Sequence, residues 1–325
     1  MWRATSRSSA LYDVLVVGLG PAGCSAAVTL GRMQRPVIAV DSGEPRNGAS
    51  LEAHGFMTRD GASPQEIRER GVAELGTYPD VKVRRGVVVG IEIDDGFFSA
   101  RLEGDASIRT RRVLLASGLR DVLPPIPGLS EAWGRSVHHC VYCSGWEIRG
   151  MPVAVLGSSL AHARVAVHLK QLSENVVLYE QGDSGVDSQT ASLLSENSIE
   201  IVAERVSRVE GFSTGSVCVH SESGVTRKFG GLFVFPEREQ GSGLPAMLDC
   251  ELLDDGRVAT NQYFQTTVRG VFAAGDMARS RTSKFSPHQI VVAAAQGVQA
   301  AMVIDQDLLQ RKFEFIQRAR SVPPL

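Results

Sequence analysis

A glycine-rich turn between a strand and a helix is the feature that most constrains this chain. The apolar, β-branched run Tyr12–Val17 predicts a buried parallel strand, and the letters GLGPAG follow it directly. In this G-x-G-x-x-G pattern, Gly18 makes the tight turn, Gly20 admits a pyrophosphate, and Gly23 lets the following helix approach the strand. A second strand ends in Asp41, 18 positions after the last of these glycines, where a carboxylate accepts ribose hydroxyls. The segment predicts a dinucleotide-binding unit whose helix N-terminus faces the phosphates.

The same order of elements returns 139 positions later. PVAVLG ends at Gly157 as a strand and turn, AHARVAVHLKQL predicts a helix, and NVVLYEQ predicts another strand. A length of 325 residues, at about 150 residues per domain, also predicts about two domains. The pattern therefore indicates an α/β chain with an internal duplication. The proline-rich stretch Leu119–Gly128 and the stretch Gln240–Pro245 predict linkers without regular structure.

Composition and charge exclude several classes of protein. Hydrophobic residues make up 43% of the chain and charged residues 22%, values typical of a soluble globular enzyme. The net charge of -2 gives no indication of nucleic-acid binding. No apolar stretch reaches the roughly 18 residues of a membrane span, and the N-terminus lacks the apolar core of a secretory signal. Five cysteines, an odd number, do not form a secreted disulfide framework, so we expect a cytoplasmic protein.

Two of the cysteines, Cys140 and Cys143, form a C-x-x-C motif. Such a pair is a redox dithiol, half of a zinc site, or incidental. Zinc needs further ligands, and His138 and His139 directly precede the motif. Adjacent residues of a strand point to opposite faces, which makes four convergent ligands unfavourable here. The spacing favours a redox pair and no metal, because two thiols separated by two residues close a small ring.

Four motifs in a specific order carry a family resemblance. They are VVGLGPAG, ASG at Ala116–Gly118, the C-x-x-C motif, and GVFAAGD followed by PHQI. In this order the chain resembles the low-molecular-weight thioredoxin-reductase-like flavoproteins, which are FAD-dependent pyridine nucleotide-disulfide oxidoreductases. The resemblance implies two Rossmann-like, three-layer ββα domains, the second inserted in the first. Residues 1–118 and 245–325 would form a split FAD-binding domain, and residues 119–244 an NAD(P)-binding-like domain that carries the C-x-x-C motif. The family also implies a homodimer.

The resemblance implies a set of FAD-binding residues. Asp276 would contact the ribityl or pyrophosphate region, while Gln289 and Ile290 would lie along the isoalloxazine. The whole expected set is Gly18, Gly20, Pro21, Ala22, Gly23, Asp41, Ser42, Arg46, Asn47, His54, Ala116, Ser117, Gly118, Gly275, Asp276, His288, Gln289 and Ile290.

Three further motifs resemble one branch of the family. CVYCSGWE (140–147), GEPRN (43–47) and AHGF (53–56) are similar to a branch that includes the dithiol oxidases of gliotoxin- and holomycin-type natural products. By this resemblance Cys143 reacts with the flavin and Cys140 exchanges with the substrate's sulfurs, although the sequence alone does not order the two. Relatives that are reductases carry an acid where this chain has Ser144. The acid/base role therefore passes to another group or to water, with His288, His138 and His139 as the candidate side chains.

The second glycine-rich turn departs from the reductase pattern. It reads GSSLAH (157–162), so Ser159 replaces the second glycine and His162 the small residue. The following strand leads to Glu180 and Asp183 without the arginines that clamp a 2′-phosphate. Specific NADPH binding is therefore disfavoured, whereas NADH remains compatible with an acid at the strand end.

This departure favours electron flow from a small-molecule dithiol, through the cysteine pair and FAD, to oxygen. The alternatives are an NAD(P)H-dependent disulfide reductase, a flavoprotein with another electron donor, and a non-enzymatic scaffold.

Overall fold

The structure is a computed structural model that describes residues 11–104, 106–181, 185–212, 215–283 and 285–320. Asp183, expected beside the second dinucleotide site, lies outside the described residues.

The described elements are numbered in chain order. The strands are β1 (Leu11–Val17), β2 (Val37–Asp41), β3 (Val81–Arg85), β4 (Val88–Asp94), β5 (Phe97–Leu102), β6 (Ser107–Leu115), β7 (Leu119–Val122), β8 (Val137–His138), β9 (Val153–Leu156), β10 (Val176–Tyr179), β11 (Glu200–Val202), β12 (Val206–Gly211), β13 (Val217–Ser221), β14 (Thr226–Phe229), β15 (Gly231–Val234), β16 (Glu237–Gln240), β17 (Val258–Thr260), β18 (Val271–Ala273) and β19 (Ala278–Ser280). The helices are α1 (Pro21–Arg32), α2 (Pro64–Leu75), α3 (Leu129–Ala132), α4 (Val141–Ser144), α5 (Leu160–Leu169), α6 (Ser188–Glu196), α7 (Leu244–Met247) and α8 (Ile290–Arg320).

The chain divides into two compact units. The described residues of the first fall within 1–46, 65–120 and 238–325, and those of the second within 47–64 and 121–237. The first unit is therefore built from both ends of the chain.

The first unit is a sheet covered on both faces. Strands β3, β2, β1 and β6 lie side by side and parallel, β18 extends the parallel run beyond β6, and β5 and β4 continue it as antiparallel strands. Because successive side chains of a strand point to opposite faces, Val14 and Val16 pack with α1 and α8. Leu15 and Val17 pack on the other face with residues of β4 and β5.

The second unit repeats this plan. Strands β11, β10, β9, β15 and β8 form a parallel sheet, and β12, β13 and β14 form a separate antiparallel sheet. One face of the parallel sheet packs through Val153 and Val155 against α5, and the opposite face packs through Ala154 and Leu156 against the antiparallel sheet. Each unit thus has the order of a Rossmann-like fold, which confirms the expected fold class.

Two local expectations differ from the structure. The first part of the proline-rich stretch forms β7, which pairs with β16 just before the second expected linker. Irregular backbone begins only at the prolines themselves, because Leu119–Val122 still has every N–H available for a ladder. The short helix α7 likewise begins within the second stretch, with Pro245 in its first turn, where the missing N–H costs nothing.

Candidate active site

The first sheet gathers the expected cofactor residues at one edge. The pairing register places Val17 beside Val40 and Leu115, and Leu115 beside Ala273. The carboxyl ends of these parallel strands therefore meet at one edge, which is where ligands bind in open α/β sheets. The segments that leave this edge carry the residues expected from the sequence, namely Gly18–Gly23, Asp41–Ser42, Ala116–Gly118 and Gly275–Asp276.

Within the turn from β1 to α1, the three glycines face different surroundings. Gly18 has a φ of +95°, and a Cβ there would lie 2.5 Å from the Ala116 oxygen. A Cβ at Gly23 would lie 1.8 Å from the Gly18 oxygen, so only a glycine allows the helix to pack this close. A Cβ at Gly20, in contrast, would meet no described atom within 4 Å. Gly20 therefore borders open space at the helix N-terminus.

This open space suits a phosphate group. Gly20 is the N-cap residue of α1, Pro21 and Ala22 open the helix, and no described side chain caps its first turn. The first N–H groups of a helix have no partner inside the helix and carry its positive dipole end. The turn therefore fits the pyrophosphate of a dinucleotide such as FAD.

Asp41 is held by two protein donors at the end of β2. The Leu19 N–H donates to its Oδ1 at 2.9 Å, and Arg68 donates to its Oδ2 at 2.5 Å. Its side chain is only 13% exposed, so these bonds set the direction of the carboxylate. The sequence reasoning missed Arg68, which lies on α2, 27 positions away, with no local signal linking the two. That Asp41 accepts ribose hydroxyls stays a prediction.

Asp276 follows β18 and forms an ion pair with another expected cofactor residue. Arg46 Nη1 lies 2.8 Å from Asp276 Oδ2, across 230 positions of sequence. The preceding Gly275 has a φ of +82°, and its N–H donates to Gln296 Oε1 at 2.9 Å. Gln296, which the sequence reasoning did not single out, thereby ties this turn to α8.

The N-terminus of α8 carries the last three residues of the expected set. Ile290 is the first helical residue, and His288 and Gln289 directly precede it. All three are partly buried. The Gln289 carbonyl accepts the Ala293 N–H at 2.9 Å, which begins the helix. Further along, a Cβ at Gly297 would lie 2.0 Å from the Ala22 oxygen, so α8 crosses α1 at close range.

Asn47 and His54 lie in the second compact unit rather than the first. There the His54 imidazole has three carboxylates around it: Glu52 at 3.5 Å, Asp60 at 3.6 Å and Glu147 at 3.4 Å. The hydrogen bond from the Gly55 N–H is the main reason why the pKa of Asp60 is lowered. His54 thus connects the segment 47–64 to the residue four positions beyond the C-x-x-C motif.

The C-x-x-C motif of the second unit is closed. Cys140 and Cys143 form a disulfide whose Cα atoms are 5.3 Å apart, at the start of the short helix α4. Both residues are partly exposed, and Tyr142 and Trp146 beside them are 79% and 65% exposed. The Arg149 guanidinium stacks on Trp146 at 3.9 Å. Among the described residues, no group of His, Cys, Asp and Glu is arranged to hold a metal ion.

The two histidines before the motif differ in environment. His138 packs against Phe233, and its Nε2 is buried with no hydrogen-bond partner among the described residues. Burial, aided by the neighbouring His139, lowers the pKa of His138 to about 4. His139 stacks instead on Trp133, with ring centroids 5.6 Å apart. A pKa this far below neutral makes His138 poorly suited to carry protons at neutral pH.

Comparison with known proteins agrees with this geometry. The family model described as "Pyridine nucleotide-disulphide oxidoreductase" matches residues 12–297. The thioredoxin reductase tcpT of Claviceps purpurea is 32% identical, over 83% of this chain and 87% of its own. The thioredoxin reductase sirT of Leptosphaeria maculans is 30% identical, over 89% and 92%. The crystal structure of HlmI is 34% identical, with a TM-score of 0.86 over 95% of this chain and 96% of its own. No helix in the described part of the chain has the length and apolar character to cross a membrane.

Proposed function

The chain belongs to the pyridine nucleotide-disulphide oxidoreductase family, and on this premise we propose that it is a dithiol oxidase that closes a disulfide in a small-molecule natural product. It is an FAD-dependent enzyme that acts on sulfur groups. The observation that carries the proposal is the partly exposed Cys140–Cys143 disulfide, an oxidised pair ready to accept electrons from a dithiol. The branch motifs around the pair support a small-molecule substrate.

The exchange chemistry needs only the two cysteines of the motif. A substrate thiolate attacks the Cys140 sulfur, the Cys140–Cys143 bond breaks, and Cys143 leaves as a thiolate. The second substrate thiolate then attacks the sulfur bonded to Cys140, which releases the substrate as a disulfide and Cys140 as a thiolate. The substrate thus loses two electrons and two protons, and the cysteine pair gains the electrons. FAD, held by the residues at the edge of the first sheet, would supply the two-electron chemistry that returns Cys140 and Cys143 to the disulfide, with oxygen as the terminal acceptor that becomes hydrogen peroxide.

We place FAD at the edge of the first sheet. Gly18, Gly20 and Gly23 would approach its pyrophosphate, and Asp41 would hold its ribose. Asp276 would lie at its ribityl or pyrophosphate region. His139 and His288 are the proposed proton carriers, since the hydroxyl of Ser144 does not act as an acid or a base at neutral pH.

An anaerobic mixing experiment tests the direction of electron flow. The oxidised enzyme is mixed with a small dithiol such as dithiothreitol, and the flavin absorbance is followed. We expect bleaching by the dithiol and peroxide formation when air is admitted. Cys140→Ser and Cys143→Ser should abolish turnover with FAD still bound, whereas Cys218→Ser, outside the disulfide, should turn over normally. Dithiol turnover by Cys143→Ser would remove the pair from the mechanism.

A disulfide reductase driven by NADPH or NADH is the second candidate, favoured by the names of tcpT and sirT. It predicts rapid anaerobic bleaching by a nicotinamide dinucleotide instead. Bleaching by NADPH at micromolar concentration would overturn the oxidase proposal. The proposed homodimer is tested separately, by measuring the mass of the FAD-loaded protein in solution.

A further inference from the structure

The chain contains two glycine-rich turns at equivalent places, and they differ in what covers them. Both follow the first strand of a Rossmann-like sheet and lead into a helix, α1 or α5. Their first glycines, Gly18 and Gly157, both have positive φ, at +95° and +134°. At the second fingerprint position the first turn has Gly20 and the second turn has Ser159.

The space above Gly157 is filled by a side chain of the same turn. A Cβ built on Gly157 would lie 2.4 Å from Nε2 of His162 and 2.5 Å from Cδ2 and Cε1 of the same ring. The imidazole therefore lies directly on the Gly157 backbone. In the first turn the position equivalent to His162 is Gly23, which has no side chain to cover the turn.

The same imidazole also occupies the hydrogen-bonding groups at the start of α5. The Ser159 N–H donates to His162 Nδ1 at 3.3 Å, and the Ser159 hydroxyl lies 2.6 Å from the same nitrogen. Ser159 and His162 have the arrangement of a capping box, in which each side chain faces the backbone N–H of the other residue. These N–H groups are the ones that a helix N-terminus offers to a phosphate.

The ring is held in this position by its surroundings. It contacts Phe235 edge to face, with centroids 5.3 Å apart. Burial lowers the pKa of His162, so the ring is neutral at pH 7 and adds no positive charge that would attract a phosphate.

The end of the next strand is equally unsuited to NADPH. Glu180 accepts the Val186 N–H at 3.2 Å through Oε1, so its carboxylate stays at the strand end. A carboxylate there repels a 2′-phosphate and accepts a free 2′-hydroxyl. The described residues of this turn and strand end therefore do not fit NADPH.

We infer that His162, capped by Ser159, is a built-in plug that excludes nicotinamide dinucleotides from the second Rossmann-like unit. The plug goes beyond the proposed function, because it identifies the side chain that separates a dinucleotide fold from dinucleotide binding. With the plug removed, the turn admits NADH in preference to NADPH, because Glu180 remains at the strand end.

A double variant tests the plug by gain of binding. Ser159→Gly with His162→Ala restores a G-x-G-x-x-A turn, and NADH or NADPH binding to the FAD-loaded protein is measured by anaerobic titration calorimetry. We expect the double variant to bind NADH at least 10-fold more tightly than the wild type and more tightly than NADPH. His162→Ala alone, which keeps the Ser159 cap, should show a smaller gain. Lys170→Ala, at the far end of the same helix, should bind like the wild type.

Two results would overturn the inference. One is wild-type binding of NADH or NADPH as tight as that of the double variant. The other is a double or single variant that keeps the wild-type melting temperature and yet binds NADH no more tightly than the wild type does. Dithiol turnover, measured on the same samples, separates this inference from the proposed function. A wild type that neither binds NADH nor oxidises dithiols would refute the function and leave the plug standing.

Discussion

Two alanine substitutions in one turn should affect different properties. Gly20→Ala should weaken FAD binding, and Gly23→Ala should weaken folding. A Cβ at Gly20 meets no described atom within 4 Å, so it projects into the space assigned to the pyrophosphate. A Cβ at Gly23 lies 1.8 Å from the Gly18 oxygen, inside the protein. The first change should therefore disturb the cofactor, and the second should disturb the fold.

The expected magnitudes follow from the local geometry. Gly20 has φ −69° and ψ −175°, which alanine adopts without strain. Alanine is a poorer N-cap than glycine, but it reduces the entropy of the unfolded chain by about 0.4–1 kcal/mol, so the stability of the apoprotein should change by less than about 0.5 kcal/mol. Overpacking at Gly23 should cost about 1–3 kcal/mol or more. Losing one charge-assisted hydrogen bond to the pyrophosphate costs about 1.5–3 kcal/mol, or roughly 10- to 150-fold in FAD affinity.

The assay separates the two effects. Apoprotein is titrated with FAD, binding is read from the quenching of flavin fluorescence, and urea unfolding is measured on the same preparations without FAD. Gly20→Ala should lose affinity at nearly constant apoprotein stability, and Gly23→Ala should lose stability. Unchanged FAD affinity in a folded Gly20→Ala protein would refute the placement of the pyrophosphate at this turn. Unchanged stability in Gly23→Ala would refute the close packing of α1.

Three further substitutions test other parts of the first and second units. His138 has a pKa of about 4 when folded and about 6.5 when unfolded, so the unfolded chain binds the extra proton between these values. The free energy of unfolding should fall by up to about 3 kcal/mol as the pH drops from 6.5 to 4, and His138→Leu should flatten this slope in urea titrations; an equal slope would contradict the assignment. Gly297→Ala places a Cβ 2.0 Å from a carbonyl oxygen of α1, and calorimetry should show destabilisation by about 1–3 kcal/mol. Arg46→Gln removes the cation paired with Asp276, so the bare carboxylate repels the pyrophosphate and FAD binding should weaken about 10-fold. Arg120→Gln, in an exposed ion pair, is the matched control and should bind FAD normally.

The sequence predicted the fold through features that act locally. Buried parallel strands appear as continuous apolar runs, and Gly23 has a steric reason only five positions away, since a Cβ there would meet the Gly18 oxygen. Helix α8 shows the limit of the same reasoning. The alanine-rich run 290–304 is a local signal for a helix, but the helix continues to Arg320 through a segment that mixes polar and apolar residues.

The candidate site was predictable where it depends on backbone and much less where it depends on pairs of side chains. Arg68 and Asp41 are 27 positions apart, and Arg46 and Asp276 are 230 apart. No periodicity in a single sequence links such residues, since their meeting depends on how the sheet edge closes in three dimensions. Gly297 did leave a signal, a lone glycine within an alanine-rich helix, which is typical of a close helix crossing.

The second turn shows why a fingerprint must be judged by what each position does. The second turn has Ser159 where the first has Gly20, yet the backbone follows the same path. Both residues are the N-caps of their helices and both have an extended conformation. What changes is the occupant of the phosphate space: open in the first turn, an imidazole in the second. The fold is therefore retained for reasons of packing, with β9 and α5 in the core of the unit, while the site can be lost by two side chains. A dinucleotide site blocked in this way would need no change in the packed core, and the capping box would stabilise the start of α5. If the plug excludes nicotinamide dinucleotides, electrons do not enter from NADH or NADPH, which agrees with the direction that the oxidase proposal requires.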